Sequence, residues 1–174
     1  MDRRQFLGSS LGVGAAAAIS MGWSNRALAA DTADIRVAQI GFNGQGGGHI
    51  ENLIRNKNLV ALCDVDERVL NRKFDELDAK GHTLDKYTDF RKLLERKDVD
   101  AVSIATPNHT HALITVLAAQ AGKDVYVEKP TSHNIWESRQ MVAAAQKYGK
   151  IIQCGTQSRS SKGLKAAAEW LHAG

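Results

Sequence analysis

Short apolar runs and helical patterns take turns along most of this chain, and that alternation restricts its architecture more than any other feature. The runs span residues 35–40, 59–63, 99–105, 125–127 and 151–154. Between and after them, helical periodicity marks residues 47–57, 66–79, 88–96, 110–121, 134–148 and 161–173. Gly81, Gly122 and Gly149 follow three of these segments as stop signals, because glycine accepts the left-handed conformation that ends a helix. Strands alternating with helices of this length specify an α/β fold, a doubly wound parallel sheet with helices on both faces. Parallel strands bury both faces, so the near-continuous Val, Ile and Ala content of the runs is core signature. With 174 residues and 43% hydrophobic content, one domain is expected.

The first thirty residues stand apart. Asp2-Arg3-Arg4-Gln5-Phe6-Leu7-Gly8 sets two arginines ahead of a mildly apolar run from Leu11 to Met21, and Ala27-Leu28-Ala29 offers small residues to a signal peptidase. The pattern resembles a twin-arginine signal, which implies export through the twin-arginine machinery to the periplasm and cleavage near Ala29. Residues 1–30 are therefore read as signal peptide and residues 31–174 as the folded domain. A membrane anchor is disfavoured, because Gly12, Gly14 and Ser20 interrupt a run shorter than the roughly 20 apolar residues that span a bilayer.

The formal net charge of +4 shrinks once this segment is set aside: without Arg3, Arg4, Arg26 and Asp2, 20 basic side chains face 18 acidic ones. So even a balance argues against nucleic acid, whose phosphates call for uncompensated Lys and Arg on one face. Cys63 and Cys154, the two cysteines, each end an apolar run. They are read as buried free thiols rather than a disulfide or metal ligands.

Gly41-Phe42-Asn43-Gly44-Gln45-Gly46-Gly47-Gly48-His49 follows the first run and opens the first helix. That setting is the one a dinucleotide-binding loop requires. Gly41 would make the tight turn, position 43 would let backbone approach a pyrophosphate, and Gly46 would let helix pack on strand. The loop departs from the usual fingerprint at Asn43, where glycine is the norm. Asp64 ends the second run 23 residues after Gly41, placed to accept hydrogen bonds from ribose hydroxyls, with helix capping as its structural alternative. A carboxylate there favours NAD; Arg68, one turn on, keeps NADP open.

Two further motifs end the next two runs: Ala105-Thr106-Pro107-Asn108-His109-Thr110-His111 and Val127-Glu128-Lys129-Pro130. Strand carboxyl ends are where ligands bind in open parallel sheets. Thr106 and Pro107 also suit a helix start, with proline at the first helical position. His109 and His111 diverge on a helix and have no third ligand nearby, so metal binding is not expected. Lys129 is the residue assigned to chemistry, its pKa lowered by partial burial at the sheet mouth and by a cationic nicotinamide nearby.

With the glycine loop, these motifs make residues 35–174 resemble the Gfo/Idh/MocA oxidoreductases: glucose-fructose oxidoreductase, inositol dehydrogenase and rhizopine-catabolism proteins. The resemblance implies a Rossmann fold holding the dinucleotide through Gly41, Phe42, Asn43, Gly44, Gln45, Gly46, Asp64 and Arg68. It implies a nicotinamide pocket at Thr106, Pro107, Asn108 and His109, with Glu128 and Pro130 helping to place cofactor and lysine. Pro130 is expected after a cis peptide bond. Lys129 is implied to hydrogen-bond a substrate hydroxyl and assist its deprotonation as hydride leaves. The implied substrate is a sugar or polyol, and homo-oligomers are compatible with it. The family's second α/β domain, which carries a histidine of the catalytic set, is expected beyond Gly174. A glycosidase-like member that retains its NAD, and a non-catalytic dinucleotide module, remain as alternatives.

Overall fold

The computed structural model describes residues 35–174; the twin-arginine pattern and its cleavage site lie outside them. Six parallel strands form one sheet in the order β3-β2-β1-β4-β5-β6. They are β1 (Val37–Ile40), β2 (Leu59–Cys63), β3 (Asp85–Tyr87), β4 (Ala101–Ile104), β5 (Asp124–Glu128) and β6 (Ile152–Gly155). Helices α1 (Gln45–Arg55), α2 (Glu67–Asp78), α3 (Phe90–Leu94), α4 (Asn108–Gln120) and α5 (Ile135–Tyr148) connect them, and α6 (Lys162–Ala173) follows a 3₁₀ turn at Gln157–Ser160. The order reverses between β1 and β4, which puts a crevice at their carboxyl ends. This is the expected doubly wound sheet.

One face buries Ala38, Ile40, Val102, Ile104, Val125 and Val127 against α4 and α5. The other buries Leu62 with Phe42, Ile50, Val69 and Leu77 beneath α1 and α2. Burial of side chains this size stabilises by about 1.5–3 kcal/mol each.

Several boundaries differ from the sequence reading, each for a local reason. Strand β3 was not foreseen: Asp85-Lys86-Tyr87 carries no apolar run, yet pairs with Ala61, Leu62 and Cys63 as an edge strand. Helix α1 starts at Gln45 rather than 47, so Gly46 lies inside the helix with Gly47 and Gly48 instead of ahead of it. Pro107 is the N-cap of α4, not its first helical residue. The cap of α2 is Asp66, whose carboxylate accepts from the Arg68 amide; Asp64 does not cap it. Gly149 ends α5 in the left-handed conformation, as its position suggested.

The strands are also less uniformly apolar than parallel burial implied. Leu62, Gln39, Ser103, Tyr126 and Gln153 stand side by side across five strands. Their row faces α1, and Gln39 and Ser103 are buried. A buried polar group needs a partner: the Gln39 side-chain NH2 donates into the glycine loop and the Ser103 hydroxyl meets His49, while Gln39 Oε1 has no partner among the described residues.

Candidate functional site

The crevice at the strand ends is a cleft of about 570 Å³ between the glycine loop, the end of β2 and the start of α4. Gly41 turns the chain at φ +75°, and a Cβ there would lie 2.7 Å from Thr106 Cγ2, so both the turn and the neighbouring motif require glycine. Gly46 lies beneath the loop, where a Cβ would collide with the Gly41 carbonyl oxygen and stand 2.9 Å from Gln39 Nε2. The buried Gln39 amide donates to that same carbonyl at 2.8 Å, pinning the turn from below. Sequence reasoning passed over Gln39, which sits within an apolar run and carries no motif.

The loop leaves donors free for an anion. Gly44 caps α1 without any side-chain hydrogen bond. The Gly47 amide is taken by the Gly44 carbonyl at 2.9 Å, and no side chain caps the amides ahead of it, so the positive end of the helix dipole at the edge of the cleft suits phosphate. Asn43 and Gly44 are exposed on its lining, and Gln45 is exposed as the first helical residue. Phe42 lends the cleft its backbone while the residue is 5% exposed within the core under α1.

Asp64 reaches the loop. One carboxylate oxygen accepts from the Phe42 amide at 3.1 Å and the other from the Asp66 amide at 3.0 Å. A carboxylate has about four lone-pair sites, so two amide bonds orient it and leave capacity for ligand hydroxyls. Arg68 is elsewhere: its guanidinium is exposed and paired with Asp66, 3.2 Å away. Cys63 lies under this end of the cleft, and burial, then the charges of Asp64 and Asp89, push its thiol up to about 12. Both cysteines are free thiols; Cys154 is half-buried and accepts from the Thr131 hydroxyl at 3.0 Å.

Thr106, Pro107 and His109 close the opposite wall. Asn108 begins α4 but is not part of that wall. The two imidazoles diverge, as their spacing required. His109 is exposed on the cleft, whereas His111 is 2% exposed and spans the Thr106 and Pro130 carbonyl oxygens at 2.7 and 2.8 Å. His111 thereby ties the two strand-end motifs together, a role its sequence position did not disclose.

Glu128, Lys129 and Pro130 stand at the end of β5, outside the cleft lining. The Lys129–Pro130 bond is cis. Lys129 is exposed, so the burial invoked for its chemistry is not seen among the described residues. Glu128, by contrast, is 4% exposed and directed inward, accepting from the Lys129 amide at 3.0 Å and from the Gln157 side-chain amide at 3.1 Å.

A family model described as an oxidoreductase family with an NAD-binding Rossmann fold matches residues 35–156. The chain belongs to the Gfo/Idh/MocA family. It is 31% identical over 133 residues to inositol 2-dehydrogenase of Salmonella typhimurium, covering 74% of this chain and 39% of that protein. It is 33% identical over 149 residues to a glycosyl hydrolase family 109 protein of Solibacter usitatus, covering 78% and 34%. A probable dehydrogenase from Thermotoga maritima superposes with a TM-score of 0.72 at 30% identity, over 80% of this chain and 41% of that one. The chain thus spans about two fifths of the length of such relatives. The free helix terminus, the glycine turn and the oriented carboxylate fit the nicotinamide dinucleotide that the family's Rossmann domain binds.

Proposed function

We propose that this chain is the NAD-binding part of an exported oxidoreductase that takes hydride from a carbinol carbon of a sugar or polyol. The observation carrying this reading is the Asp64 carboxylate, held by the Phe42 amide at the rim of the glycine loop. There it accepts from a ribose diol, whereas a 2′-phosphate would meet like charge. Amides 43–46 would hold the pyrophosphate, and Pro107 and His109 would border the nicotinamide. The bound nicotinamide supplies the hydride acceptor. Lys129 would hydrogen-bond the substrate hydroxyl and assist its deprotonation as hydride leaves, the proton passing to the histidine that the family's second α/β domain carries. The inositol dehydrogenase name of the Salmonella relative supports a polyol, and Arg3-Arg4 ahead of an apolar run supports export to the periplasm.

Calorimetric titration with NAD and NADP tests the site. NAD is expected to bind at least tenfold more tightly, a difference of about 1.4 kcal/mol, and Asp64→Ala to shrink that gap. Equal or tighter NADP binding by the unaltered chain would overturn the assignment of Asp64. The Solibacter relative supports a second reading, in which NAD is retained and a transient oxidation of a sugar permits glycosidic cleavage. Release of an aglycone with no net NADH accumulation would favour it.

A further inference from the structure

His49 is not explained by the cleft. It lies on α1, three residues beyond Gly46 and thus on the helix face turned to the sheet. Its side chain is 12% exposed, and both ring nitrogens are engaged. Nδ1 stands 2.9 Å from Ser103 Oγ on β4, and Nε2 stands 3.0 Å from Glu128 Oε1 on β5. Tyr126 packs edge-on against the ring, centroids 5.4 Å apart and planes at 82°. Glu128 is closed in from the remaining sides. Gln157 donates to the same oxygen, the Lys129 amide donates to the other, and a Cβ at Gly155 would lie 3.0 Å from Oε1. The carboxylate therefore has one orientation, and the imidazole of the phosphate-loop helix sets it.

We propose that His49 is a positioning residue. It locks Glu128, and through the Glu128 carboxylate the backbone of Lys129, to the helix whose N-terminus would receive the cofactor phosphates. The link to cofactor rests on the dinucleotide reading above; the lock itself does not. Nε2–H donates to Glu128, and Nδ1 accepts from the Ser103 hydroxyl. A hydrogen bond to a carboxylate in a dry setting is stronger than a neutral one in water, which is what makes a single ring able to hold a strand-end loop.

Two measurements on the cofactor-free chain test the lock. Long-range ¹⁵N spectra of the unaltered protein are expected to show a proton on His49 Nε2; an Nε2 without one would overturn the proposal and needs no variant that must fold. In amide hydrogen exchange, His49→Leu is expected to speed Lys129 at least about tenfold, in line with loss of a charge-assisted bond. The amides of Ile104 and Val127 should keep their rates, which a merely loosened fold would not allow. His49→Gln, whose amide can donate to Glu128, is expected to restore Lys129 to within about threefold of the original rate. Unchanged Lys129 exchange in His49→Leu would overturn the lock. Added NAD tests the coupling: it should slow Lys129 exchange in the unaltered chain but not in His49→Leu, although both bind it with affinities within about threefold. Equal slowing in both would overturn the coupling. Failure of the unaltered chain to bind NAD would overturn the proposed function, and the cofactor-free results would still decide the lock.

Discussion

Gly46 shows how much of this site depends on the absence of one carbon atom. The residue is buried between the Gly41 carbonyl and the Gln39 amide, and both neighbours are held: one is backbone, the other a side chain bonded to that backbone. Neither can yield, so an added methyl has to push α1 off β1. Gly46→Ala is therefore expected to destabilise by about 1–3 kcal/mol, the usual cost of overpacking, measured by urea denaturation. Because the displaced helix carries the loop amides, NAD affinity should fall in the same variant. Gly44→Ala is the contrast, since no atom lies within 4 Å of the Cβ it would add. Its stability should stay within about 0.5 kcal/mol of the original. If the two variants were equally stable, the close approach of helix to turn would carry no energetic weight.

At the scale of elements, β3 is the strand that needs an explanation, because three residues with little apolar surface give an edge strand little to hold it. Arg96, which follows α3, supplies part of the answer. Its guanidinium pairs with Asp85 on β3 and, at 2.6 Å, with Asp98 ahead of β4. It also lies over the Tyr87 ring, 6.0 Å from the centroid. One side chain thus joins β3 to the segment leading into the central sheet. Arg96, first by its hydrogen bonds and then by charge, lowers the Asp98 carboxyl to about 2, against an ordinary value of 3.8. A carboxyl depressed in the fold stabilises it above the ordinary value, and the contribution fades as pH falls from about 4 toward 2. Arg96→Met is expected to lower the melting temperature at pH 7 by roughly 2–5 °C. The same variant should narrow its deficit below pH 4, where the original protein also loses the pair. A deficit constant from pH 7 to pH 2.5 would show that packing of the arginine stem, not its charge, holds the edge.

For the whole molecule, the twin-arginine pattern makes a claim that binding measurements do not reach. Replacing Arg3 and Arg4 by lysine keeps the charge and the apolar run but removes the paired guanidinium groups, so the precursor is expected to stay in the cytoplasm; fractionation of expressing cells checks this. Undiminished export of the double variant would remove the twin-arginine assignment while leaving the fold untouched. The fold class, five of the six strands and the loop at Gly41 were legible in the chain, because apolar periodicity, glycine and proline act locally and need no knowledge of what lies opposite. Asp64, His109 and Lys129 were legible as residues at strand ends for the same reason. Strand β3 was not, since edge strands depend on a neighbour for their hydrogen bonds rather than on their own hydrophobicity. The pinning of the turn by Gln39, the bridge made by His111 and the meeting of His49 with Ser103 and Glu128 were decided only in three dimensions. Those contacts join residues from 2 to 79 positions apart, and a buried hydrogen bond takes its partner from whatever sheet register and helix packing bring within 3 Å, which no local pattern of side chains records.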